Sequence, residues 1–67
     1  MNIFLNNVPV VLPNDYMTLE DLIKWKNISP QGTAVAIDDK IITQNNWKTT
    51  RLEPMMHVTI ISAAFGG

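Results

Sequence analysis

Cysteine is absent from this 67-residue chain, so it has no disulfide framework and no thiolate metal site. Its single histidine cannot build a zinc site alone. Redox chemistry on its own side chains is limited to methionine oxidation. Positive charge is scarce: five Lys and Arg against six Asp and Glu leave a net charge of -1, which excludes the basic footprint of a nucleic-acid binder. Trp25 and Trp47 therefore read as packing residues, since the cations that would hold a nucleic-acid backbone beside a stacking platform are missing. No segment approaches the roughly 20 apolar residues that span a bilayer, so no membrane partner is expected. The opening Met1-Asn2-Ile3-Phe4-Leu5-Asn6-Asn7 has no basic residue, and asparagines break its apolar run. It reads as a strand and not a signal peptide, and the chain is expected to be cytoplasmic.

What remains is an apolar, lightly charged chain, 46% hydrophobic and 16% charged, able to collapse. A domain near 60 residues buries only about 60% of its unfolded surface, so most of the chain must serve the fold. Little is left to build a buried active site. The chain is not expected to be an enzyme.

Met1, Ile3 and Leu5 alternate with Asn2 and Asn6, the period of a strand with one buried face. Asn6-Asn7 is a tight turn, because Asn tolerates positive φ, and Val8 to Leu12 returns as an edge strand that accommodates Pro9. Thr18 caps a helix, with Asp21 three residues on as a short stand-in for the usual capping-box Glu. Leu19, Leu22 and Ile23 share one helical arc with Trp25 at its edge, and Glu20 and Lys24 have the favourable i,i+4 order opposite. The helix is expected to stop near Lys26 or Asn27, before a Ser29-Pro30-Gln31-Gly32 loop. Thr33 to Ile37 and Lys40 to Thr43 are strands around an Asp38-Asp39 turn. That turn explains the two carboxylates better than an acid pair, since adjacent strand residues face opposite ways. Gln44 to Trp47 is a helical turn with Trp47 folded back, and Glu53-Pro54 is a further turn. His57 to Ser62 is the last strand, with Val58 and Ile60 inward and His57, Thr59 and Ile61 outward. Met17, Met55 and Met56 read as gap-fillers. The predicted fold class is α+β: a mixed four- to five-stranded sheet with one helix across one face, the ubiquitin-like β-grasp layout. Residues 1–62 form the domain. Residues 63–67, Ala63-Ala64-Phe65-Gly66-Gly67, have no periodicity and are expected to be a flexible tail.

Glycine averages about 7% of residues, so a terminal pair is about a 0.5% coincidence. Joined to this layout, the sequence resembles the ThiS family, the bacterial sulfur carriers of thiamine biosynthesis. Ala36-Ile37-Asp38-Asp39-Lys40-Ile41-Ile42 through Trp47 is similar to the family's Ala-Ile-Asn/Asp, apolar pair and Trp segment. Ile60-Ile61 through Gly67 is similar to its last strand and Gly-Gly end. The chain departs from the pattern at Gln44, where members often carry Arg, and at Met55-Met56, where many carry a Gly-Asp turn. Without glycine a positive φ is strained, so that turn is expected to take another geometry.

The resemblance implies that an E1-like adenylyltransferase of the ThiF type uses ATP to adenylate the carboxylate of Gly67. Sulfur from a cysteine desulfurase system then converts it to a thiocarboxylate, which a thiazole synthase of the ThiG type consumes for the thiazole ring of thiamine. No cofactor or metal is expected on the chain itself. Gly66 and Gly67, lacking Cβ atoms, can enter a narrow partner channel, with Phe65 as an anchor for the inserted tail. Phe4, pointing away from Ile3 and Leu5, and Ile61 are candidate partner-docking residues on the exposed face of the sheet; cross-strand packing is the plainer role for Phe4. Three other functions fit the same terminus. They are the small subunit of molybdopterin synthase, a ubiquitin-like modifier joined through Gly67 to a lysine, and a β-grasp interaction domain whose Gly-Gly end is incidental.

Overall fold

The computed structural model describes residues 1–62. In chain order they form β1 (Asn2–Leu5), β2 (Val8–Val11), α1 (Leu19–Trp25), β3 (Thr33–Ile37), β4 (Lys40–Ile42), a 3-10 helix (Gln44–Thr49) and β5 (His57–Ser62). The five strands make one sheet in the order β2-β1-β5-β3-β4. β1 and β5 run parallel, and the other neighbours are antiparallel.

The two hairpins are closed by the same chemistry. Asn6 and Asn7 have φ of 50° and 68°, and Asp38 and Asp39 have 49° and 68°. Positive φ at both central residues matches the right-handed twist of the flanking strands, and Asn and Asp are the non-glycine residues that reach it most readily. The paired acidic side chains are thus explained by a turn. Pro9 lies opposite Phe4 on the edge strand. In a hairpin closed by Leu5 opposite Val8, that pair is a non-hydrogen-bonded one, so the missing N–H of Pro9 costs the ladder nothing.

α1 starts as its sequence requires. The backbone N–H of Asp21 donates to Thr18 Oγ1 at 3.3 Å, and the N–H of Thr18 donates to Asp21 Oδ2 at 3.0 Å, a reciprocal box built with Asp. It ends at Lys26, and Asn27 turns the chain out with φ of 57°. Lys24 pairs with Glu20 at 3.1 Å on the outer face. Leu19, Leu22 and Ile23 are buried against the sheet beside Ile3, Val35 and Val58. Trp25 is half exposed, with Lys26 Nζ 5.6 Å from its ring centre.

The 3-10 helix runs to Thr49, two residues beyond the expected turn. Trp47 folds back into the core, and its indole N–H donates to the Ile42 carbonyl at 2.9 Å, so the buried ring leaves no unpaired polar atom.

One expectation is overturned. Met55 does adopt the left-handed conformation, with φ of 65°, although it is not glycine. The Met56 N–H donates to the Glu53 carbonyl at 3.2 Å, closing a turn with Pro54 at its second position and Met55 at its third. Proline preset at the second position with positive φ at the third is the type II pattern. The N–H of Met55 donates to the Asn2 carbonyl at 2.7 Å, which ties the turn to β1. The surroundings impose the geometry, and the non-glycine side chain tolerates it. A left-handed residue with a Cβ costs about 1–2 kcal/mol, and glycine gives back about 0.5–1 kcal/mol in unfolded-chain freedom. The Met55 side chain is 57% exposed and contributes little packing. Met55→Gly is therefore expected to stabilise the fold by about 0.5–1 kcal/mol in chemical denaturation. A loss of stability would contradict the strained-turn account.

Candidate functional site

The site begins with the strand that leads to the chain end. β5 is last in sequence and third of five in space. Its flank toward β3 is paired from Val58 opposite Ile37 to Ser62 opposite Thr33. Its flank toward β1 is held by Phe4 N–H to the Met56 carbonyl and Asn6 N–H to the Val58 carbonyl, both at 2.9 Å. There β1 ends, and the side chain of Asn6 takes over the ladder. The Ile60 N–H donates to Asn6 Oδ1 at 2.8 Å, and Asn6 Nδ2 donates to the Ile60 carbonyl at 3.3 Å. One residue thus supplies both the positive φ of a turn and a side-chain clamp on β5. Sequence reasoning found the first role and missed the second, because the partner lies 54 positions away.

β5 alternates from His57 to Ile61. Val58 and Ile60 are buried under α1, and His57, Thr59 and Ile61 face outward, as expected. Phe4 lies on the same outer face, half buried, its ring stacked on His57 at 4.6 Å between centroids and 12° between planes. Phe4 is the register partner of His57, and Ile61 lies four residues further along β5. At about 3.3 Å per residue the two are separated by about 13 Å. They share a face without touching. Ile61 instead neighbours Ala34, its register partner on β3. The next strand adds Ile41, opposite Ala36. Ile61 and Ile41 are 57% and 64% exposed. Among the described residues no helix covers this side of the sheet, and α1 packs on the other. Sequence reasoning missed Ile41. Its signal is the alternation within Lys40-Ile41-Ile42, which is legible only once the β3–β4 register is known.

Phe65, Gly66 and Gly67 lie outside the described residues, as does the expected tail of residues 63–67. Ser62 is paired with Thr33 at one end of the sheet, five positions before Gly67. Among the described residues, no helix is long and apolar enough to cross a membrane.

A mixed five-stranded sheet with one helix across one face and its last strand inserted at the centre is the ubiquitin-like β-grasp fold. The family model of the ThiS family matches residues 5–67, and the chain belongs to that family. Among solved structures, it is similar over 100% of both chains to the thiamine biosynthesis protein (ThiS) from Geobacter metallireducens, with a TM-score of 0.84 at 14% identity, a likeness of fold. No curated protein sequence matches it.

The clamp is testable without touching the turn, because glycine also accepts the φ of residue 6. Asn6→Gly is expected to cost about 1–3 kcal/mol, since it leaves the part-buried Ile60 N–H and carbonyl without partners. Hydrogen exchange at the Ile60 amide should accelerate by the same equilibrium factor. A cost below about 0.5 kcal/mol, within the ordinary scatter of surface substitutions, would mean the clamp does not hold β5.

Proposed function

We propose that this chain is a protein substrate, a sulfur carrier that works in the cytoplasm and whose reactive group is the α-carboxylate of Gly67. Membership of the ThiS family supports a sulfur-carrier role in thiamine biosynthesis and is the observation that carries the reading. The similar structure from Geobacter metallireducens, titled as a thiamine biosynthesis protein, agrees with it in fold.

The chemistry needs a partner at each step. A carboxylate at neutral pH is a poor electrophile, because a nucleophile must expel an oxide-like group from an anion. Attack of that carboxylate on the α-phosphorus of ATP releases pyrophosphate and leaves an acyl-adenylate, whose leaving group is AMP. An adenylyltransferase of the ThiF type supplies the nucleotide site. A sulfide equivalent from a desulfurase system then expels AMP, leaving the thiocarboxylate. A thiazole synthase of the ThiG type accepts the sulfur. Gly67 has no Cβ, so approach to its carbonyl is unhindered, and Gly66 and Phe65 thread and anchor the segment in the partner.

The outer face of the sheet supports docking. Ile61, in the strand that leads to the terminus, and Ile41, on the edge strand β4 of the same face, expose apolar surface, with Phe4 further along that face. An exposed apolar group in a rigid sheet offers a partner a fixed surface beside the reacting end.

Deletion of Gly67 is expected to abolish thiazole formation in a strain dependent on this chain and to leave the melting temperature unchanged, because a terminal glycine buries little. An interaction domain with an incidental Gly-Gly end would keep its function after the same deletion. A protein modifier would show conjugates branched through Gly67. Ile61→Asp is expected to weaken binding to the adenylating partner at least tenfold while shifting stability by less than about 0.5 kcal/mol, since the residue is exposed. Undiminished binding would remove this face from the docking account.

A further inference from the structure

A groove of about 740 Å³ runs between α1 and the loop that carries Pro13 to Met17. Asp21, Lys24 and Trp25 line its helix side, three and four positions apart on one helix face. Pro13 and Tyr16 line the loop side. Two aromatic rings are thus spent on a surface. Tyr16 is 77% exposed and Trp25 42%, and neither belongs to the core cluster.

Tyr16 is not loose. Its N–H donates to Asn14 Oδ1 at 2.9 Å, an Asx turn. Leu12 and Met17 on either side are buried, and the Met17 carbonyl accepts from the Leu52 N–H at 2.9 Å. The backbone is pinned around a ring that faces water. Both rings also keep a free donor. Among the described residues nothing accepts from the Tyr16 hydroxyl or from the Trp25 indole N–H.

These features select one kind of ligand. The residues that line the groove belong to no strand, so it offers no sheet edge to an added strand. A bound helix would keep its carbonyls in its own hydrogen bonds and have few to give two ring donors. A polyproline II segment has no internal hydrogen bonds, so its carbonyls are free, and proline brings no N–H that needs an acceptor. Asp21 and Trp25 stand about 6 Å apart along the helix, and one polyproline II turn rises about 9 Å. Charge narrows the choice further. Lys24 is matched by Glu20 at 3.1 Å, whereas Asp21 meets only the N–H and hydroxyl of Thr18. The unmatched charge lining the groove is negative.

We propose that this groove docks a proline-rich segment of another protein, with prolines against Tyr16 and Trp25 and an adjoining Lys or Arg facing Asp21. The groove lies beside α1, on the opposite side of the sheet from Ile41 and Ile61. Both surfaces can therefore be occupied together, and the site does not rest on the function proposed above.

The test is a titration of the isotope-labelled full chain with acetyl-hexaproline-arginine amide, followed by amide and indole resonances. Saturable shifts are expected at Tyr16, Asp21, Lys24 and the Trp25 indole, with a dissociation constant below about 1 mM. Tyr16→Ala should weaken binding at least about tenfold with the rest of the spectrum retained, since the residue is exposed. Asp21→Asn keeps the oxygen that Thr18 needs and should erase the preference for this peptide over one ending in alanine. No shift at millimolar peptide would overturn the proposal. So would equal shifts with a glycine-serine peptide of the same length, or shifts confined to Phe4, Ile41 and Ile61. Shifts at the groove with cellohexaose and none with the peptide would also overturn it, and would make the rings a sugar platform.

Discussion

The structure depends on one long-range constraint, the insertion of the last strand between the first and the third. β5 hydrogen-bonds on both sides, to β1 in parallel and to β3 antiparallel. Strands from the two ends of the chain must meet before either face of the sheet exists. Where β1 runs out, Asn6 extends its ladder with a side-chain amide that mimics a peptide group toward Ile60. A domain this small buries a limited apolar area, so a satisfied amide clamp at its centre matters more than it would in a larger core. The arrangement also sets the exit of the chain. At Ser62, the last described residue, β5 is still paired with Thr33 of β3, two residues beyond the Asn6 clamp that ends its pairing toward β1.

The two faces of the sheet divide the labour. One carries Ile3, Val35 and Val58 against Leu19 and Leu22 and makes the core. The other is covered by no helix among the described residues, with Ile61 and Ile41 outward and Phe4 stacked on His57. A carrier needs that division. Its stability must reside on one side, so that the surface and terminus offered to successive enzymes can be used without disturbing the fold.

Local chemistry made much of this legible in advance. Asn6-Asn7 and Asp38-Asp39 announced the hairpins because few residues accept two consecutive positive φ angles. Thr18 and Asp21 announced the helix start through a box with defined spacing. The arc of Leu19, Leu22 and Ile23 and the alternation of Val58 and Ile60 marked the core. What stayed hidden was non-local. Nothing in Asn6 discloses a partner at Ile60, and nothing in Ile41 discloses its face until the register with Ala36 is known. Met55 was misjudged for a related reason. Glycine is the low-cost residue at positive φ, yet Pro54 before it and the Asn2 carbonyl across from it hold the turn in that shape. For the chemistry, the terminal Gly66-Gly67 pair was informative only in company with the fold. The family match supplied the weight that two glycines lack alone.

The central claim is that the last carboxylate of this chain is activated by another enzyme's nucleotide and then carries sulfur. Intact-mass spectrometry of the chain after incubation with ATP, a sulfur donor system and a ThiF-type enzyme tests it most directly. The account predicts a mass gain equal to one oxygen-to-sulfur exchange, localised by fragmentation to Gly67 and dependent on ATP. An unchanged mass with a demonstrably active enzyme, or sulfur found at any other residue, would contradict it.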